Sequence, residues 1–187
     1  MLKQRVITAT VGVPLIILVV WFGDPWFSLL IAAVTLAGSL EFYHMASLNK
    51  REPLIYFGLL WALALVLSPH YKNTSMLPIA MTAAAVISLV WLLCRSPRES
   101  AFRNWAWIVA GVLYVGWMLS YWLNLRILED GRNWVYLAMF TTFANDTGAF
   151  FIGRARGRHP LTPTISPGKT WEGAIGGLLS AILSAII

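Results

Sequence analysis

Seven apolar segments, at 6–22, 26–47, 53–67, 76–94, 105–123, 134–152 and 171–187, divide a chain of 187 residues. A bilayer core takes about 20 helical residues at a rise of about 1.5 Å each, and most of the segments approach that length. The segment 53–67 is short, which suits a helix that tilts little or lies partly in the interface. Hydrophobic residues are 58% of the chain and charged ones 12%, a balance that a soluble domain of this length would struggle to keep in solution. The expected fold is all-α: a polytopic membrane protein of about seven transmembrane helices, forming one integral-membrane domain over 1–187. The last segment reaches the final residue without a flanking charge or turn, so the seventh helix reads as truncated and the domain as incomplete at its C-terminus.

The basic head Met1-Leu2-Lys3-Gln4-Arg5 and the apolar run behind it resemble a secretory signal. The run is too long for a signal core, and Gly23-Asp24-Pro25 is a turn, not a small-residue cleavage site. A first membrane helix that stays is expected, with Pro14 as a kink that neighbouring helices tolerate. Trp26, Trp105, Trp134 and Trp171 stand at segment ends, where indole rings favour the interface. Cys94 reads as a small buried hydrophobe, and one cysteine allows no disulfide within the chain.

If each segment crosses once, Lys3, Arg5, Lys50, Arg51, Arg95, Arg98, Arg103, Arg154, Arg156, Arg158 and Lys169 share one side, against Lys72, Arg126 and Arg132 on the other. The positive-inside rule then puts the N-terminus and the segment 153–170 in the cytoplasm, in a bacterial inner membrane. Basic loops beside anionic lipid account for most of the net charge of +6, so no nucleic-acid partner is implied.

Chemistry concentrates between residues 145 and 177. Asp146 lies inside an apolar run, on a helical face with Thr142 and Ala149. A carboxylate at that depth costs about 2.5–3.5 kcal/mol on insertion scales, which makes it a candidate functional residue; a structural Asp bonded to Asn145 or Thr142 is the alternative. Residues 153–159 are too charged for lipid and read as an aqueous loop. That loop ends in Ser166-Pro167-Gly168-Lys169-Thr170, where Ser166 as cap and Pro167 as first residue predict a helix start. The amides of Gly168 and Lys169 would then be free at the positive end of the dipole, a phosphate-binding arrangement. The GKT letters match the end of a P-loop, but Pro163 stands where that motif needs glycine. Gly173, Gly177 and Ala181 give the four-residue small spacing of close helix packing. Were the partner the Asp146 helix, the phosphate turn would lie over the acid.

The strings Asp146-Thr147-Gly148-Ala149-Phe150, Gly153, Leu161-Thr162-Pro163, Ile165-Ser166-Pro167-Gly168-Lys169-Thr170-Trp171-Glu172-Gly173 and Gly176-Gly177 closely resemble the bacterial phosphatidate cytidylyltransferases, or CDP-diacylglycerol synthases. Met1-Leu2-Lys3-Gln4-Arg5 and Glu41-Phe42 extend the resemblance more weakly. It implies transfer of a cytidylyl group from CTP to phosphatidic acid in the membrane, giving CDP-diacylglycerol and pyrophosphate, with Mg²⁺ as cofactor and a homodimer as a candidate assembly.

On this resemblance Asp146 and Lys169 carry the catalytic roles. Ser166, Gly168, Lys169 and Thr170, with Asn145, Arg154, Arg156 and Arg158, bind substrate, although the three arginines serve equally well as topology determinants. Asp146 is the first candidate for metal, with Glu41 and Glu172 behind it. Glu41 shares a helix face with His44, and Glu172 lies one helical turn from Lys169 and could simply pair with it. The family carries a further C-terminal signature whose aspartates hold metal, and the sequence stops before it. The chain therefore reads as an inactive fragment. A CTP-dependent lipid kinase and a transporter using Asp146 and Glu41 are the alternatives.

Overall fold

The computed structural model describes residues 2–46, 53–71, 77–95 and 97–186, with the backbone alone for 2–9, 53 and 98. Lys50, Arg51 and Lys72, which entered the orientation argument, lie outside the described residues, as do the side chains of Lys3, Arg5 and Arg98. The chain divides into two compact units, Met1–Gly131 and Arg132–Ile187.

The first unit is helical. Helices α1 (Leu2–Phe22), α2 (Trp26–Met45) and α3 (Pro53–Val66) are followed by a 3₁₀ turn at Ser68–His70 and by α4 (Leu77–Arg95). Then α5 (Arg98–Gly111), a π-helical stretch (Val112–Trp117) and α6 (Met118–Ile127) run on without a break. Pro14 sits inside α1, and Gly23 turns the chain into α2 with φ of 72°. The core forms where Tyr43, 1% exposed, packs among Leu54, Ile55, Leu59, Leu92, Ala101 and Ile108. Its hydroxyl donates to the Ile108 carbonyl at 3.3 Å, which satisfies the one polar atom of a large buried ring. Cys94 is exposed, contrary to its reading as a buried hydrophobe, because it falls on the outer face of α4, away from the face that buries Ser88 and Leu92.

Among the described residues three helices are long and apolar enough to cross a bilayer: Trp26–Met45, Leu77–Arg95 and Glu99–Ile127. Thr10–Phe22, Leu54–Val66 and Trp171–Ile186 are shorter apolar helices. The chain is thus a predominantly helical membrane protein.

The second unit consists of α7 (Gly131–Arg156) from Arg132 onward, a hairpin of β1 (Pro160–Thr162) and β2 (Ser166–Thr170), and α8 (Trp171–Ile186). Three expectations are corrected here. The fold is not wholly α, since β1 and β2 pair antiparallel, Pro160 with Thr170 and Thr162 with Ser166. The charged stretch 153–156 is not loop: α7 continues through it, and Arg154 and Arg156 occupy its last turn, where cations complement the helix dipole. Ser166 does not cap a helix. Residues 166–170 are strand, and α8 starts at Trp171, capped by Thr170, whose Oγ1 accepts from the Gly173 amide at 3.2 Å. A Ser-Pro pair suits a cap, but Pro also sits without penalty on an edge strand, and both strands of a two-stranded hairpin are edges.

Helices α7 and α8 pack through small residues. A Cβ on Gly173 would lie 2.9 Å from the Ala149 carbonyl oxygen and 3.1 Å from Gly153 Cα. On Gly177 it would lie 2.8 Å from the Asn145 carbonyl oxygen, and on Gly148 it would strike the Ser180 hydroxyl. Gly173, Gly176 and Gly177 are all buried. The partner of the small-residue face on α8 is therefore the helix that carries Asp146.

Candidate active site

Three elements of the second unit surround one cavity of about 770 Å³. From α7 come Asn145, Asp146, Ala149, Phe150, Gly153 and Arg154; from the hairpin Leu161, Gly168, Lys169 and Thr170; from α8 Gly173 and Ala174. The α7 contribution follows helical periodicity. Asn145, Ala149 and Gly153 form one row, Asp146, Phe150 and Arg154 the next. Eight residues separate Asp146 from Arg154, about 12 Å at the α-helical rise. A carboxylate thus marks one end of the cavity wall and a guanidinium the other.

Asp146 is exposed to this cavity. Asn145 Nδ2 approaches its Oδ1 at 3.4 Å, a long and weak contact that leaves most of the carboxylate's acceptor capacity free. The Asn145 side-chain oxygen faces Gly177 of α8, so the close approach of the two helices turns the amide with its donor toward Asp146. Thr142 is spent internally, its hydroxyl donating to the Ala138 carbonyl at 2.7 Å.

At the other end, the Arg154 guanidinium carbon stands 6.0 Å from the centroid of the Phe150 ring. Lys169 is exposed, and a Cβ on Gly168 would meet open space, so an anion has access to the backbone there. Among the described residues neither Lys169 nor Arg154 forms an ion pair. The cavity therefore holds uncompensated positive charge at the hairpin end, suited to an oxyanion-rich ligand.

The remaining candidates stand apart from the lining. Ser166 begins β2, and Arg156 and Arg158 flank the end of α7 outside the cavity wall. Glu41 is exposed on α2 in the first unit. Glu172 does not pair with Lys169. Its Oε2 accepts from the backbone amides of Arg158 (3.2 Å) and His159 (3.3 Å), and its Oε1 lies 2.6 Å from His159 Nδ1. The strand geometry carries Lys169 away from the first turn of α8, where a continuous helix would have stacked it over Glu172. His159 was not among the sequence candidates; nothing in the spacing of 159 and 172 marks a pair that only the hairpin brings together.

Mg²⁺ is bound through one or two carboxylates together with substrate phosphates and water. Asp146 fits the single-carboxylate form of such a site. Among the described residues there is no group of three or more His, Cys, Asp or Glu that could hold a metal by protein side chains alone.

An exposed carboxylate and an exposed lysine on one cavity between a polar helix, a hairpin and an apolar helix suit a ligand rich in oxyanions, and the sequence comparisons say to which class the protein belongs. The chain belongs to the cytidylyltransferase family, nucleotidyltransferases whose family model matches residues 3–187. It is similar to the phosphatidate cytidylyltransferase of Bacillus subtilis, with 27% identity over the whole chain and 71% of the relative. The enzymes of the same name from Pseudomonas aeruginosa and Haemophilus influenzae are each 30% identical. The first match covers 95% of this chain and 67% of the relative, the second 100% and 72%. These relatives lend no support to the kinase or transporter alternatives.

Proposed function

We propose that the protein transfers a cytidylyl group from CTP to phosphatidic acid, giving CDP-diacylglycerol and pyrophosphate. One observation carries the reading: residues of 145–154 and of 168–174, which the family model also covers, line a single cavity with an acid at one end and cations without an ion pair among the described residues at the other. In the reaction a phosphate oxygen of phosphatidic acid forms a bond to the α-phosphorus of CTP while the bond to the β-phosphate oxygen breaks. Two strongly anionic reactants have to be held together, so the protein's share is positioning and charge neutralisation.

Lys169 and Arg154 take the negative charge of the triphosphate, including that which grows on the departing pyrophosphate. Gly168 admits the phosphates to the edge of the hairpin. Asp146, steadied by Asn145, would hold Mg²⁺, which when bound neutralises phosphate charge at the reacting centre. Phe150, Ala149 and Leu161 supply an apolar wall beside the lipid. Arg156 and Arg158, outside the lining, contribute through the field of the loop rather than by contact. Ser166 supports β2 instead of gripping phosphate.

The distribution of Lys and Arg supports seven crossings with the N-terminus and residues 153–170 on the cytoplasmic side of a bacterial inner membrane, the side on which CTP is found. The deciding experiment uses the full-length protein that carries this sequence in lipid nanodiscs with labelled CTP, phosphatidic acid and Mg²⁺. Label should enter a lipid-soluble product with stoichiometric pyrophosphate. Product formed equally well without phosphatidic acid, or none at all, would overturn the reading.

A further inference from the structure

We propose that Glu172 is a positioning residue, whose carboxylate ties the entry of the hairpin to the first turn of α8 and so fixes the strand that presents Lys169 to the cavity. This rests on the reading of the cavity as the CTP phosphate site. Glu172 is a family-motif residue next to a phosphate-handling strand, and an acid there would ordinarily be assigned to metal. The geometry assigns it otherwise.

Its two oxygens are both committed to the hairpin. One receives the consecutive amides of Arg158 and His159, an arrangement in which successive backbone N–H groups converge on one anion. The other meets His159 Nδ1 at 2.6 Å, the short distance of a charge-assisted hydrogen bond. The Glu172 side chain is 26% exposed, against 77% for His159, so the imidazole closes over the carboxylate from the solvent side.

From this tie the restraint passes along hydrogen bonds. The Trp171 amide donates to the His159 carbonyl at 3.0 Å, which carries the pairing of the hairpin one residue beyond Pro160 and Thr170. Thr170 is fixed in turn, since its Oγ1 caps α8 and lies against Gly153 of α7. Residues 158–160 are thus held on one side by the strand ladder and on the other by Glu172, and Lys169 precedes the anchored Thr170. Fixing the backbone at Lys169 leaves only its side chain for phosphate binding to order. An isolated two-stranded hairpin is at best marginally stable in water, and a carboxylate that takes up two amides of the segment leading into it is a physical means of holding it.

The test compares Glu172→Ala, Glu172→Gln, His159→Ala and the double variant His159→Ala/Glu172→Ala in the full protein in nanodiscs. Three quantities are read: amide hydrogen exchange at 158 and 159, affinity for inorganic tripolyphosphate, and kcat and KM for CTP across a Mg²⁺ titration. Glu172→Ala should speed exchange at both amides, weaken tripolyphosphate binding and raise KM for CTP roughly tenfold, while kcat changes by less than about threefold. Glu172→Gln and His159→Ala, each keeping part of the tie, should fall between. Because both residues act through one contact, the double variant should be no worse than Glu172→Ala. Exchange and KM unchanged in Glu172→Ala would overturn the proposal, as would a shifted half-saturating Mg²⁺ in Glu172→Gln, which would mark a metal ligand. If Glu172→Ala does not fold, the two partial variants decide by the same readouts. If the unsubstituted protein makes no lipid product, the activity reading fails while exchange and tripolyphosphate binding still decide the tie.

Discussion

On the proposed reading Lys169 and Asp146 answer to different parts of the same substrate, and their replacement should therefore fail differently. Lys169 is exposed on the cavity rim without an ion pair among the described residues, so its charge is available to a ligand. Lys169→Ala should lower kcat/KM for CTP by about 10²-fold, the scale for losing one donor aimed at developing charge. Protein level and melting temperature should hardly move. Turnover and nucleotide affinity equal to the parent's would reduce the lysine to an interfacial anchor. Asp146→Asn keeps the shape of the side chain and removes its charge. The expected outcome is a loss of turnover that higher Mg²⁺ partly restores, read from initial rates across a Mg²⁺ titration. A loss that is indifferent to Mg²⁺ would leave Asp146 as a hydrogen-bonding residue only.

At the scale of elements, the site exists because α8 approaches α7 closely enough to bring the hairpin beside Asp146. The approach depends on missing side chains: at Gly177 a Cβ would lie 2.8 Å from both the backbone and the side-chain oxygen of Asn145. Backbone cannot rotate aside as a flexible side chain can, so Gly177→Val should cost about 1–3 kcal/mol as an overpacking substitution and pry the helices apart. The same displacement moves Asn145, whose amide contacts Asp146. The measurable result is a lowered thermal midpoint together with loss of CTP binding. Gly12 provides the control, since a Cβ there meets nothing within 4 Å, and Gly12→Ala should leave CTP binding unchanged without lowering the midpoint.

For the whole molecule the testable quantity is topology. Three helices among the described residues meet the length and apolarity of a span, and the proposed seven crossings depend on shorter or more polar helices, including α7 itself. A site helix that bears Thr141, Thr142, Asn145, Asp146 and Thr147 reads poorly as a lipid-facing rod, as helices that line polar cavities do. A single cysteine introduced as Arg156→Cys, in a Cys94→Ser background, should resist an impermeant maleimide in right-side-out vesicles and react in inverted ones. Ready reaction from outside would reverse the orientation.

The apolar segmentation, the membrane class and the family motif were all legible in the sequence. Hydrophobic length and the identity of residues 145–149 and 166–173 are local properties that no folding partner alters. The bounds of α2, α3, α4 and α8 follow the apolar runs to within a residue or two for the same reason. What residues 166–170 become is not local. Ser-Pro-Gly-Lys-Thr suits a helix start as well as an edge strand, and pairing with Pro160–Thr162 decided it, because backbone hydrogen bonds between strands depend on which segment lies alongside. Tertiary structure alone gave Glu172 its partner, by folding His159 back over the first turn of α8, and set Lys169, Gly168 and Arg154 around one cavity while leaving Arg156, Arg158 and Ser166 outside it. Residue types along a chain specify which chemistry is present; the distances between them come from the glycine contacts of two helices and the register of one hairpin.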